Sequence, residues 1–222
     1  AVPPPAPRIE PDRPEGRRLW EFRVEGTLEA SPCVAGGKVY FGTWDGFHCL
    51  DLATGRPLWK ATVVDVLSSP VVVGQTVYVG SGRSEQARPA NRHIPGRQLL
   101  ALDAATGRIR WRQQLDLPCS SPVTYAAGRL IAGTGKGTFV SARGGAAGKV
   151  ICHDAASGRQ LWARPLPDNV LAATNGFELA EALCSGTPLR EALSSWETAQ
   201  LELGNRLVDL ARERGDRYMY RR

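Results

Sequence analysis

The sequence predicts a mainly β fold of about three four-stranded antiparallel units, and three observations support this prediction. An Asp–Gly–Trp corner recurs in full at residues 49–59, 101–111 and 152–162. Tryptophans stand at positions 20, 59, 111 and 162, in steps of 39, 52 and 51 residues. A Ser-Pro pair at 31–32, 69–70 and 121–122 places its proline 11 or 12 residues after a repeat tryptophan. Periods of this length are typical of solenoids, propellers and arrays.

Each corner is predicted to be a tight hairpin turn with a bulge. Its Asp accepts backbone N–H groups two or three residues on, a Thr or Ser adds a hydroxyl, and the Gly takes a positive φ. Apolar residues alternate on either side, as in a hairpin. The residues assigned to this structural role are Asp51, Thr54, Gly55, Trp59, Asp103, Thr106, Gly107, Trp111, Asp154, Ser157, Gly158 and Trp162.

The residues between the corners divide each repeat into four short strands. One strand follows the Ser-Pro pair, the next is VYFG, VYVG or LIAG, the third enters the Asp and the fourth carries the Trp. Four antiparallel strands per repeat make one blade of a β-propeller. We therefore predict blades over about 31–64, 68–115 and 120–166, preceded by a strand over 19–24 that has no blade of its own.

The pattern A-x-D-x-x-T-G-x-x-x-W, with Ser-Pro opening the next unit, resembles the tryptophan-docking repeat of PQQ-like (pyrroloquinoline-quinone-type) β-propellers over about residues 19–167. Quinoprotein dehydrogenases, the outer-membrane-assembly lipoprotein and propeller domains of bacterial receptor kinases belong to that family. The resemblance implies tryptophans packed between blades and an incomplete propeller, since propellers use about four to eight blades. It is specific for the fold and unspecific for function.

Two further segments flank the predicted blades. Residues 1–18 are predicted to form a proline-rich linker or a disordered terminus. From residue 168 to 222 the Ser-Pro marker is missing, and a helical tail is predicted, with Thr187 and Pro188 opening a helix. We expect the tail to pack against blade three through an apolar stripe at Leu189, Leu193, Trp196, Leu203, Leu207 and Leu210. Residues 177–218 also resemble, more weakly, the closing helices of FAD-dependent aromatic monooxygenases, without that family's flavin-binding fingerprint.

Blades two and three are longer than blade one because of equivalent loops at 81–97 and 134–149, which emerge at the same end. Within the second loop, residues 133–137 are predicted to form a turn or bulge, because Gly137 follows the lysine where a phosphate loop needs Ser or Thr. Long loops on a rigid scaffold are where binding sites usually lie. The candidate binding rim consists of Arg83, Arg88, Arg92, Arg97, Lys136, Arg143 and Lys149, opposed in the sequence by Glu85. A solvated pair of loops is the alternative interpretation.

Composition and reactive residues favour a binding role over catalysis. The net charge is +6 with 23% charged residues, and no nucleic-acid-binding module is recognisable. The five cysteines lack C-x-x-C spacing. The neighbours His48 and Cys49, like Cys152 and His153, point to opposite faces of a strand and cannot share one metal ion. We therefore assign no catalytic, cofactor-binding or metal-binding residue.

The sequence thus favours a non-catalytic binding scaffold or sensor in the periplasm or bacterial cell envelope. Its expected partners are a protein or further propeller blades, with an anionic ligand as a further possibility. No signal peptide or membrane span is visible, so attachment to a membrane is expected only through an anchor outside this chain. The alternatives are a fragment of a quinoprotein dehydrogenase, which requires PQQ and calcium, and a fusion remnant with a flavin monooxygenase tail.

Overall fold

The structure is a computed structural model that describes residues 18–24, 27–83, 89–136 and 148–166. The described residues form three antiparallel sheets of four strands each. The first sheet contains β1 (Cys33–Ala35), β2 (Lys38–Thr43), β3 (Gly46–Asp51) and β4 (Pro57–Ala61). The second contains β5 (Val71–Val73), β6 (Thr76–Gly80), β7 (Gln98–Asp103) and β8 (Ile109–Gln114), with a 3-10 helix, Pro89–Asn91, between β6 and β7. The third contains β9 (Thr124–Ala126), β10 (Arg129–Gly135), β11 (Gly148–Asp154) and β12 (Gln160–Leu166).

The three sheets are arranged as neighbouring propeller blades. Within each sheet the strands pair in chain order, so that each blade is an up-and-down meander. The first strands of the blades, β1, β5 and β9, lie beside one another and form the inner edge. The fourth strands, β4, β8 and β12, form the outer edges. The predicted mainly β fold of about three four-stranded blades is confirmed.

Each corner contains the predicted bulge. Strand register shifts at the same place in each blade, between Cys49 and Leu50, Ala101 and Leu102, and Cys152 and His153. The corner glycines have φ values of +69°, +72° and +74° at Gly55, Gly107 and Gly158. These are left-handed conformations in which a side chain is strained, so the repeated glycine has a direct conformational cause.

The hydrophobic core lies between blades. Because side chains alternate along a strand, each blade presents one apolar face to each neighbour. Between blades one and two the buried cluster includes Tyr40, Phe47, Cys49, Val77, Val79, Leu100 and Leu102. Between blades two and three it includes Tyr78, Leu99, Ala101, Leu130, Ala132 and Ile151. Burial of these faces against each other is therefore what joins the blades.

Residues 19–24 do not form the predicted strand, although they lie where a preceding blade would. None of the described strands pairs with this segment, and an extended chain without a neighbour has no ladder of hydrogen bonds. Its side chains nevertheless cover the outer face of blade one, where Trp20, Phe22 and Val24 pack on Val39, Phe41 and Leu50. The segment therefore makes the side-chain contacts of a preceding blade but not the backbone hydrogen bonds of a strand.

Residues 133–135 continue β10, so the predicted turn or bulge at 133–137 is wrong for its described part. Gly133 pairs with Val150 and Gly135 with Gly148. The Gly133 N–H also donates to Ser121 Oγ at 2.7 Å. Continuous pairing with β11 satisfies these backbone groups better than a turn would. Residues 137–147 of that loop, residues 1–17 of the predicted linker over 1–18, and the whole predicted tail over 168–222 lie outside the described residues.

Replacing Gly107 with alanine is expected to destabilise the fold far more than replacing Gly74. Both glycines have a positive φ, +72° and +57°, so each substitution adds about 1 kcal/mol of backbone strain. At Gly107 the new Cβ would also lie 2.5 Å from a ring carbon of Trp59, whereas at Gly74 it meets nothing within 4 Å. We expect a loss of about 1 kcal/mol at Gly74 and about 3 kcal/mol at Gly107 in denaturant unfolding. Equal losses would show that the tryptophan contact adds nothing.

Candidate functional site

The aspartates of the repeat are held by their own corners. Asp51 Oδ1 accepts the Thr54 N–H at 2.8 Å and the Thr54 hydroxyl at 2.7 Å, and the Gly55 N–H donates to the Asp51 carbonyl at 2.8 Å. The same bonds recur at Asp103 and Asp154. These carboxylates therefore stabilise the turns of the corners.

One corner carries an additional ion pair. Arg110 Nη2 lies 2.6 Å from Asp103 Oδ2, while its Nη1 donates to the Thr76 hydroxyl at 2.8 Å. The Arg110 guanidinium, with the Thr106 hydroxyl and N–H, lowers the pKa of Asp103 to about 2. The carboxylate is thus charged throughout the physiological range, as its role in the turn requires.

The repeat tryptophans dock each blade onto the next. The Trp59 indole N–H donates to the Ala104 carbonyl at 3.2 Å, and Trp111 donates to Ala155 at 3.1 Å. In each case the ring lies over the corner glycine of the following blade, where a Cβ would come within 2.7 Å of it. Trp20 makes the equivalent contact with blade one, donating to the Leu52 carbonyl at 2.8 Å.

The long loops lie at the opposite end of the blades from the corners. In an up-and-down meander, the β2–β3, β6–β7 and β10–β11 connections share one end with the connectors between blades. This end carries the described members of the candidate rim, Arg83, Arg92, Arg97, Lys136 and Lys149. Arg88 and Arg143 lie outside the described residues.

The loop over 81–97 is tied to both neighbouring blades. Asn91 Nδ2 donates to Asp45 Oδ1 at 3.1 Å, which joins the loop to blade one. The Arg83 guanidinium donates to the Lys136 carbonyl, which joins it to blade three. Residues that are distant in sequence thereby meet on a single surface.

Asp65 is a residue of this end that the sequence analysis missed. It lies in the connector between blades one and two, is 3% exposed and has a φ of +52°. Its carboxylate accepts the Arg83 N–H, and its carbonyl accepts the Gly82 N–H at 2.7 Å. The available signal was an isolated Asp in the apolar run VVDVL, where the next connector has Leu117.

Acidic residues partly offset the positive charge of the rim. The Lys149 ammonium pairs with Asp116, and this contact lowers the pKa of the Asp116 carboxyl. Asp45 and Asp65 lie at the same end. The rim is therefore a mixed surface with a basic excess, whereas the loop sequences alone offered one acidic residue, Glu85.

The buried thiols Cys49, Cys119 and Cys152 and the imidazole of His48 are packing groups. Burial raises the pKa of Cys119 to about 12 and that of Cys49 to about 11, so both thiols stay protonated and weakly nucleophilic at neutral pH. His48 stacks on Phe41 with ring centroids 5.1 Å apart. Within the described ranges, no three His, Cys, Asp or Glu side chains are grouped to hold a metal ion.

The described residues assemble no group of three or more His, Cys, Asp or Glu side chains for the calcium ion that accompanies PQQ in a quinoprotein dehydrogenase. Calcium takes six to eight oxygen ligands, and the described carboxylates of the repeat are committed to turns. A site for this group would have to draw on residues beyond those described. None of the described residues forms a helix long and apolar enough to span a membrane.

Comparison with known proteins agrees with this architecture. The family model described as outer membrane protein assembly factor BamB matches residues 9–94 and 94–143. The chain belongs to this BamB-type PQQ-repeat family. Among relatives, the serine/threonine-protein kinase AfsK of Streptomyces coelicolor is 32% identical over 99% of this chain and 22% of its own length. The assembly factor BamB of Burkholderia pseudomallei is 32% identical over 68% of this chain and 39% of its own length.

The solved structures support the same fold. A quinohemoprotein alcohol dehydrogenase from Pseudomonas putida HK5 superposes with a TM-score of 0.51 at 22% identity, over 66% of this chain and 22% of the enzyme. This likeness concerns the fold alone. The BamB-type chain described here spans 22% and 39% of the two curated relatives.

Proposed function

We propose that this BamB-type chain is part of a non-catalytic β-propeller that binds an acidic protein partner, or another anionic ligand, through its basic rim. The observation that carries this proposal is the loop over 81–97, which is tied to blades one and three at once. A loop fixed in this way presents its arginines with less loss of conformational freedom on binding. A relative named as an outer membrane protein assembly factor is a precedent for a role in protein assembly.

The proposed location is the bacterial cell envelope, outside the cytoplasm. A relative is named as an outer membrane assembly factor, and others are protein kinases that carry the same repeat. A scaffold that meets a protein partner through one end of its blades is compatible with either context.

Charge reversal at the rim is expected to weaken binding of a fluorescent acidic peptide, such as oligoglutamate, several-fold. Lys136→Glu places the change on the rim, and Arg108→Glu makes the same change in net charge on an exposed corner at the opposite end. Fluorescence anisotropy at two salt concentrations would measure both affinities, since a specific charged contact weakens with salt. An equal loss in both variants, or no binding by the wild type, would refute a role for the rim.

The second proposal, a fragment of a quinoprotein dehydrogenase, is favoured by the fold shared with the Pseudomonas enzyme. It requires calcium ligands, and no metal-holding group of His, Cys, Asp or Glu side chains is assembled within the described ranges. Dye reduction after addition of PQQ, calcium and an alcohol would support it, and inactivity under conditions in which a known quinoprotein is active would argue against it.

A further inference from the structure

The face of blade three that points away from blade two has the same arrangement of apolar residues as the face of blade two that packs against blade three. Register places Ile131, Cys152 and Trp162 side by side across β10, β11 and β12. The same positions in blade two are Tyr78, Ala101 and Trp111, which face blade three. Because side chains alternate along a strand, Leu130 and Ile151 face blade two, and Cys152 points the other way.

The side chains of this face are buried, although no described strand lies on that side of blade three. Ile131 is 1% exposed, Val150 4% and Cys152 0%. Trp162 is half-buried, like Trp59 and Trp111, which lie under the next blade. An apolar face left open to water would show far greater exposure of these side chains. These side chains are therefore as buried as those on a face between two blades.

We propose that residues 167–222 cover this face, in the place that a fourth blade would occupy. The segment follows β12 directly, so its first residues start at the outer edge of the face. Its sequence predicts a helix with an apolar stripe at Leu189, Leu193 and Trp196. A helix can bury such a stripe against a sheet face as a further blade would. The inference is independent of the rim and of any ligand there.

The cysteines already present can test this proposal in the full-length chain. Pulse labelling with N-ethylmaleimide, mapped by mass spectrometry, reports each thiol separately. Cys33, partly exposed at the inner edge, is the reactive reference, and Cys119, buried between blades two and three, reports global opening. We expect Cys152 in the wild type to be protected like Cys119.

Disrupting the stripe is expected to expose Cys152 selectively. Leu193→Asp or Trp196→Asp should raise its labelling rate about tenfold or more, by favouring local opening, while Cys119 stays protected. Thr198→Asp, on the opposite side of the predicted helix, is the matched control and should change nothing. Labelling of Cys152 as fast as that of Cys33 in the wild type, or a rate unaltered by both stripe variants, would overturn the proposal.

A second copy of the chain, as another occupant of the face, is distinguishable. If a second copy covers it, protection of Cys152 falls on dilution in parallel with dissociation in sedimentation, which overturns the proposal. Should the aspartate variants unfold altogether, a photoreactive benzoylphenylalanine in place of Trp196 gives an independent reading. Cross-links from that position to peptides of residues 148–166 within a monomer are expected, and cross-links confined to other regions would contradict the assignment.

Discussion

Replacing Trp111 with alanine is expected to destabilise the protein by about 3 kcal/mol, the lower range for removal of a large aromatic side chain from a packed site. Trp111 lies over Gly158, donates to the Ala155 carbonyl at 3.1 Å and has its ring 6.0 Å from that of Tyr78. Its loss removes the main contact of the outer strand of blade two with blade three. Urea unfolding followed by circular dichroism would measure the effect.

The control for this prediction is Trp111→Phe. Phenylalanine keeps an aromatic ring over Gly158 but has no N–H for the Ala155 carbonyl, so the expected cost is about 1 kcal/mol. The difference between the two variants separates the packing of the ring from its hydrogen bond. An alanine variant as stable as the wild type would contradict the docking role of the tryptophan.

Replacing His153 with leucine is expected to stabilise the protein and to reduce its sensitivity to acid. His153 is 2% exposed, and its Nδ1 has no hydrogen-bond partner among the described residues. Its cross-strand partners, Leu130 and Gln160, are uncharged. The equivalent positions in blades one and two are Leu50 and Leu102, so the change restores the residue of the repeat. We expect a gain of about 1–2 kcal/mol at pH 7 from removing an unsatisfied polar atom.

The pH dependence follows from the direction of the pKa shift. Burial lowers the pKa of His153 from 6.5 to about 4, so the folded protein keeps the ring neutral while the unfolded chain protonates it. The free energy of unfolding of the wild type should therefore fall as the pH drops from about 6.5 to about 4, by up to about 3 kcal/mol from this group. His48, with a pKa lowered to about 4 by burial and by Lys60, retains part of the slope in the variant.

Unfolding free energies measured between pH 7 and pH 4.5 would test this prediction. The carboxylates of the corners have lowered pKa values, below the usual 3.8, so their contribution to stability is lost only in more acidic solution. Leu102→His, the reciprocal change in blade two, should introduce a similar slope and lower stability at pH 7. If the wild type and His153→Leu show the same slope over this range, the buried imidazole is not its source.

The parts of the fold predicted from sequence are those that local chemistry dictates. A corner needs Asp, a hydroxyl, Gly and Trp at fixed spacing, because each makes a defined contact within the turn or with the next blade. Residues 19–24 are predicted as a strand because they resemble the outer strand of a preceding blade, with Trp20, Phe22 and Val24 in alternation. Alternation reports which side chains are buried, and strand pairing also needs a neighbour, which this segment lacks among the described strands.

The rim was less predictable than the corners. The sequence predicts that its arginines and lysines lie at one end of the blades. The order of the strands along the chain determines which loops share an end. The contacts of Asp45, Asp65 and Asp116 are made across 46, 18 and 33 residues of sequence, and no repeat pattern encodes them. Asp65 adopts its left-handed conformation within a connector that has no equivalent Asp in the next blade. Long-range polar contacts of this kind require the folded arrangement to be known.

The docking of each tryptophan on the following corner has a consequence for how such proteins change over time. Each contact between blades joins the tryptophan of one blade, which donates the hydrogen bond, to the corner of the next blade, which accepts it. Every full blade therefore carries one tryptophan and one corner. Tandem duplication of a single unit within a gene therefore supplies two matching surfaces at once, and a longer array arises without any new contact having to evolve. Divergence can then proceed in the loops at the other end while the joints stay under selection.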